Sequence, residues 1–308
     1  VTVYGSFTAN TNTPYTVEHY FEDLNGNYVR NDSKTQVLSG ESGKETVAMP
    51  LSSSDLVGFT HDAGIDGTVK SGTIEGDGSL VLKLYYKRTE HTVSYQYTGT
   101  VPGGASALPA TLTSKYGEEV PVAGPATATG YTFSGWSATS LTVSDGKFLM
   151  PARDIILSGH FSANQNVYKV EHYLMDTTGH YPASASHTIT YDDVKTGDSV
   201  TANTDAAHVG FTYDSSAANV TSGTVLPDGT LILKLYYKRN QFDVKYEYVG
   251  TVPDGASTLP AGTKAYYQEN VAIASPATAP GYTFSGWTIN TGDTTIEGGF
   301  MEMPNKAV

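Results

Sequence analysis

GYTFSGW occupies residues 130–136 and returns at 281–287, and the chain's two tryptophans, Trp136 and Trp287, close the two copies. The likeness spreads outward from this heptad. GPATATGYTFSGW at 124–136 answers SPATAPGYTFSGW at 275–287, and YTGTVPGGASALPA at 97–110 answers YVGTVPDGASTLPA at 248–261. A second, unlike repeat lies upstream of each copy: VEHY stands at 17–20 and 170–173, 153 residues apart, and LKLYYKR at 82–88 and 233–239, 151 apart. Self-similarity at a fixed period is the mark of tandem modules. The period of roughly 150 residues holds two unlike halves, so the order is A-B-A-B: A1 at 15–89, B1 at 90–163, A2 at 164–239 and B2 at 240–308.

The ends extend this pattern. VTVYGSFTAN at 1–10 resembles IILSGHFSAN at 155–164, the closing stretch of B1, so residues 1–14 read as the closing strand of a preceding module plus a linker. MPNKAV at 303–308 corresponds to MPARDI at 150–155, which leaves B2 lacking its last strand. The segment 1–9 is expected to pair with A1 or, in another molecule, with the unfinished B2.

Alternation is the dominant local signal, as a half-buried strand requires. His91, Val93, Tyr95 and Tyr97 share one face, and Phe242, Val244, Tyr246 and Tyr248 repeat it; Leu80, Leu82, Leu84 and Tyr86 oppose Val81, Lys83 and Tyr85. Hairpin dipeptides fall at Asn25-Gly26, Asp77-Gly78, Asp145-Gly146 and Asp228-Gly229. No stretch of helical length sustains a 3.6-residue period, and only 52–57 and 111–118 have room for a turn or two of helix. The expected fold is β-rich, α+β at the margin: four small tandem modules in an elongated array, joined by linkers as short as Lys87-Arg88-Thr89.

Composition narrows the function. The net charge of −13 argues against nucleic acid, which needs clustered Lys and Arg to displace counterions, and against an anionic membrane surface. No apolar run approaches the roughly 20 residues that span a bilayer. With no cysteine there are no disulfides, thiolate metal sites or cysteine nucleophiles. The 22 tyrosines bury their rings and keep their hydroxyls wet, which suits thin, half-exposed sheets.

The B stretch, with its Tyr-x-Tyr strand, Pro/Ala stretch, GYTFSGW and then GKFLMP or GGFMEMP, resembles the internalin B-repeat family. The A stretch resembles the MucBP (mucin-binding protein) family: VEHYFEDLNGNY opens it, Gly-Phe follows at 58–59 and 210–211, and SGTIEGDGSLVLKLYYKR closes it. The resemblance implies β-grasp-like modules, related to ubiquitin in fold, on a Gram-positive cell surface. It supplies no ligand and no catalytic residue, because neither family has a uniform one.

Candidate chemistry is sparse. Tyr131, Trp136, Tyr282 and Trp287 are the candidate ligand-facing aromatics, a platform for a sugar ring. The competing reading places each Trp in a module core, because small modules need large apolar plugs. VEHY invites a metal, but neighbouring strand residues point to opposite faces, so His19 reads as a partly buried, hydrogen-bonded histidine. Asp23-Leu24-Asn25-Gly26-Asn27 imitates the start of a calcium loop without its later glycine and terminal glutamate, and a hairpin turn explains it better. Lys83 and Lys234 are candidates for an isopeptide link, with no acid marked beside them. Glu118-Glu119 and Asp192-Asp193 diverge along a strand, unlike a glycosidase pair, and there is no GxSxG, no HExxH and no clustered histidine. No catalytic, metal or cofactor site is expected. The sequence reads as a non-enzymatic stalk and adhesin scaffold that is extracellular and bacterial. Its partners are neighbouring repeats of the same chain, or, in the alternative, mucin glycans or host surface proteins bound directly.

Overall fold

The computed structural model describes residues 1–290 and 292–308. It divides into two compact units, Val1–Ser162 and Ala163–Val308. Both are built from short strands in small sheets. Among the described residues the helical content is one 3-10 turn, Ser53–Asp55. Among the described residues no helix is long and apolar enough to cross a membrane. The other stretch with room for helix, 111–118, instead contributes the strand Leu112–Lys115. It pairs antiparallel with Glu90–Tyr97, which satisfies its backbone groups and places Ser114 in the interior.

In A1 the strand Thr13–Glu22 is central. It lies parallel to Val81–Arg88, and Gln36–Gly40 and Tyr28–Arg30 pair antiparallel with its other side. Phe59–His61 closes the far edge of Val81–Arg88. This central parallel pair, made from the first and last strands, is the β-grasp-like arrangement the resemblance implied. Parallel neighbours need a long crossover, and residues 23–80 supply it. The register sets Val17 beside Leu82 and His19 beside Leu84. Alternation then drops Tyr15, Val17, Leu82, Leu84 and Tyr86 into one core, with Ile74 closing it. A2 repeats the plan: Gln165–Leu174 runs parallel to Ile232–Arg239, with Val170 beside Leu233 and His172 beside Leu235.

B1 centres on Glu90–Tyr97, flanked by the parallel strand Ile155–Gly159 and by Leu112–Lys115. Its core holds Val93, Tyr95, Val120, Trp136, Phe148, Met150, Ile155 and Leu157. B2 is thinner. Gln241–Val244 pairs with Thr263–Tyr266, and the buried set shrinks to Val244, Ala265, Met301 and Met303. The regular strand that runs to Tyr97 in B1 stops at Val244 in B2. Residues 1–10 form no strand and are exposed throughout.

Candidate functional site

The heptad of B1 builds an aromatic cluster. Tyr131–Phe133 is a strand, and Gly135, at φ +85°, turns the chain so that the next side chain points inward. Trp136 is only 8% exposed. Its ring stacks on Tyr97 at 5.5 Å and meets Phe133 and Tyr95 edge-on at 4.7 and 5.0 Å. Its Nε1–H donates to the Gly124 carbonyl at 2.9 Å. Both the polar handle and the ring faces are used inside the module, which leaves Trp136 no face for a sugar. Tyr131 is half-buried.

In B2 the same cluster is less complete. Trp287 keeps its neighbours Tyr246, Tyr248 and Phe284, and its Nε1–H donates to the Ser275 carbonyl at 3.1 Å, but the ring is only half-buried. Beside it opens a cleft of about 360 Å³ lined by Tyr248, Phe284, Trp287 and Tyr282. Tyr282 is 68% exposed. Of the four aromatics proposed to face a ligand, Tyr282 and Trp287 therefore line one concavity, whereas Trp136 is packed away.

Histidines cluster after all, against the reading that none do. Parallel register with Leu235 puts His172 in the A2 interior, and antiparallel register sets His187 opposite it, their rings 6.0 Å apart. The loop before Gly210 then brings His208 in, with Nε2 at 3.2 Å from His172 Nδ1. The three lie 15 and 21 residues apart along the chain, so no local motif announces them. Burial, followed by the neighbouring His208 and His187, holds the His172 pKa below the ordinary imidazole value. Burial and then His187 do the same to His208. In A1 the counterpart His19 is fully buried and hydrogen-bonded through Nδ1 to the Tyr86 hydroxyl at 2.8 Å, more enclosed than the partly buried residue expected. Among the described residues no group of three or more acidic or histidine side chains is placed to hold a metal ion. The carboxylate of Asp23 accepts the N–H groups of Asn25 and Asn27, both at 2.8 Å, as in an Asx turn. Lys83 and Lys234 lie over the rings of Tyr20 and Tyr173 at about 6 Å.

The feature that sequence reading missed altogether is the seat between A and B within each unit. Gly58 adopts φ +78° and lies flat against the ring of Tyr116, so close that a Cβ there would sit 2.1 Å from Cδ1. Gly210 meets Tyr267 in the same way, at 1.9 Å. The Arg that ends each LKLYYKR strand bridges the seam. Arg88 donates to the carbonyls of Glu22 and Tyr116, and Arg239 to those of Met175 and Tyr267. Both guanidinium groups lie over a phenylalanine ring, Phe59 at 5.2 Å and Phe211 at 4.7 Å. The Gly-Phe and Lys-Arg signatures of the A repeat thus serve the next B repeat. In the first unit an ion pair is added, Lys115 Nζ to Glu22 Oε1 at 2.6 Å. Burial works to raise the Glu22 pKa, but the Lys115 and Arg88 hydrogen bonds and charges outweigh it and hold the group below its usual value.

Comparison with known proteins places the B stretches. Residues 92–165 match the model of the divergent InlB B-repeat domain, and residues 242–307 match that of the Listeria-Bacteroides repeat domain. The B stretches are similar to bacterial B-repeats. Such repeat domains are typical of bacterial surface proteins. No curated protein matches the chain. Solved structures that align with it include Streptococcal High Identity Repeats in Tandem (SHIRT) domains 3-4 from a cell surface protein, at 16% identity and TM-score 0.24, over 49% of this chain and 98% of that one. The Bacillus anthracis TIE protein aligns at 8% identity and TM-score 0.29, over 75% of this chain and 51% of that one. Mub-RV aligns at 13% identity and TM-score 0.17, over 74% and 99%. At these scores none of the three carries weight for fold or function.

Proposed function

We propose that this chain is a non-enzymatic repeat region of a bacterial cell-surface protein, acting outside the cell as a stalk and adhesin scaffold. The observation that carries the reading is the duplicated seat. Gly58–Tyr116 with Arg88, and Gly210–Tyr267 with Arg239, join an A repeat to the following B repeat by the same contacts. A spacer must transmit force across its linkers, and an arginine that binds carbonyls on both sides of a three-residue linker does that. The B-repeat matches support the surface setting, and a Gram-positive cell wall is the expected one. The domain plan behind the reading is the A1, B1, A2, B2 division, with residues 1–14 ahead of it.

A second reading, direct recognition of mucin glycans or host proteins, draws on the exposed Tyr282 beside the B2 cleft. The purified chain on a glycan array and on immobilised mucin separates the two. The stalk reading expects no saturable binding. Binding that is lost in Tyr282→Ala would sink it in favour of the second.

A further inference from the structure

The central parallel strands of each A module turn one face away from the core, and that face is rich in tyrosine. In A2 the register sets Tyr173 beside Tyr236, and alternation points both away from the buried Leu233, Leu235 and Tyr237. The two rings stack at 4.7 Å with 18° between their planes, and Tyr181 meets Tyr236 edge-on at 5.0 Å. Two of the three phenols donate to carboxylates, Tyr173 Oη to Glu171 Oε2 at 2.7 Å and Tyr181 Oη to Asp214 Oδ2 at 2.8 Å. A1 repeats the arrangement. Tyr20 stacks on Tyr85 at 4.9 Å and donates to Glu18 Oε2 at 2.7 Å, and Tyr28 meets Tyr85 edge-on at 5.3 Å.

A phenol hydrogen-bonded to a carboxylate gives up an electron readily, because the proton released with it has an acceptor already in place. The same hydrogen bond, followed by burial, pushes the Tyr173 pKa up to about 12, so the group that meets an oxidant is the neutral phenol. The Tyr236 ring is then a ready radical partner. Two directly bonded aryl rings have centres closer than this stack by less than an ångström. Turning both rings edge to edge about their Cβ–Cγ bonds therefore brings the carbons ortho to the hydroxyls together with the backbone in place.

We propose that Tyr173 and Tyr236 form an oxidative cross-linking site, with Tyr20 and Tyr85 as its weaker counterpart, and that the co-substrate is hydrogen peroxide acting through a haem peroxidase. Tyr173 gives an electron to the oxidant and its Oη proton to Glu171, while Tyr236 gives an electron and loses its proton to water. The two phenoxyl radicals join Cε to Cε, the hydrogen on each bonded carbon leaves as a proton, and each oxygen takes one back. One hydrogen peroxide accepts the two electrons and two protons and leaves as two water molecules. The dityrosine ties the first strand of A2 to its last and closes a long loop, in a chain with no cysteine to do so. A1 is weaker because Arg30 Nη1 holds the other oxygen of Glu18 at 2.8 Å and reduces its pull on a proton, whereas among the described residues no ion pair engages Glu171.

Peptide mapping by mass spectrometry tests this on the 308-residue chain after treatment with a haem peroxidase and limiting hydrogen peroxide, at a dilution that keeps coupling within one chain. The expected products are Tyr173–Tyr236 in the larger yield and Tyr20–Tyr85 in the smaller, each lighter by two hydrogen atoms and fluorescent as dityrosine. Tyr168 and Tyr191 stack at 4.9 Å with no carboxylate on either hydroxyl among the described residues, and this internal control should stay uncoupled. Tyr236→Phe should abolish the main link while keeping the stacked ring. Glu171→Gln, which accepts a hydrogen bond but takes up no proton, should cut its yield several-fold in a chain whose circular dichroism is unchanged. Coupling confined to the exposed Tyr4 and Tyr282 overturns the proposal. So does a Tyr173–Tyr236 yield that is unchanged in Glu171→Gln or matched by Tyr168–Tyr191.

Discussion

His172 and His208 share one hydrogen bond between ring nitrogens, which a neutral pair satisfies with one donor and one acceptor. Protonating His172 puts a buried charge beside two other imidazoles, and protonating the half-buried His208 puts a charge beside His172 and His187. Both folded pKa values lie below the ordinary value of 6.5, so the unfolded chain takes up protons first as the pH falls. Their contribution is complete above pH 6.5 and is lost as pH drops through the window below it. The second unit should therefore melt at lower temperature at about pH 5.5 than at about pH 7.5. His208→Gln should flatten that slope; calorimetry at the two pH values checks it, and parallel slopes would refute the assignment. The Asp214 carboxyl, held below the ordinary aspartate range by hydrogen bonds from Ser216 and Tyr181, titrates outside this window. Gly58 gives a second test at the same scale. Gly58→Ala should cost about 1–3 kcal/mol for a left-handed alanine, plus the cost of displacing the Tyr116 ring. Gly26→Ala is the control, at φ +83° with open space around it, and should cost the backbone part alone. Denaturant midpoints of equal size for the two variants would remove Tyr116 from the account.

At the level of elements, the two A-to-B seams share their arginine but differ in what surrounds it. Glu22 and Lys115 in the first seam give way to Met175 and Tyr266 in the second, where Tyr266 Oη lies 3.0 Å from the Cβ position of Gly179. Arg88→Ala removes both carbonyl contacts and the cover over Phe59, and should split a single A1–B1 unfolding transition into two. Calorimetry of the first unit reads this directly. Glu22→Gln should loosen the first seam only, and added salt should weaken the wild-type first seam more than the second. A pair this well enclosed on the glutamate side is screened less than a surface pair, so the salt effect will be partial. Strand faces at this scale were legible beforehand. The alternation at 80–86 and 91–97 gives the observed burial because a strand's period of two needs no knowledge of its partners. The Leu112–Lys115 strand was not legible, since four residues with one half-buried leucine carry too weak a period.

For the whole molecule, the stalk reading predicts that replacing both A-B pairs by an unrelated folded spacer of equal length leaves adhesion by the parent surface protein intact. Cell-adhesion counts on host mucus measure it, and loss of adhesion would favour direct recognition. Strand alternation, hairpin turns and the aromatic heptad are written in residues a few positions apart, and each recurs about 150 residues later, so the sequence by itself determined the β-rich fold and the likeness to B-repeats. It also left Trp136 and Trp287 with identical heptads. Only the tertiary structure decided what encloses them, setting Trp136 against Tyr95, Tyr97 and Phe133 and Trp287 against Tyr246, Tyr248 and Phe284. The histidine cluster and the Gly-Tyr seats were likewise decided by folding. Their partners come from strands and loops far apart in sequence, and a contact made at that distance leaves no local period to read.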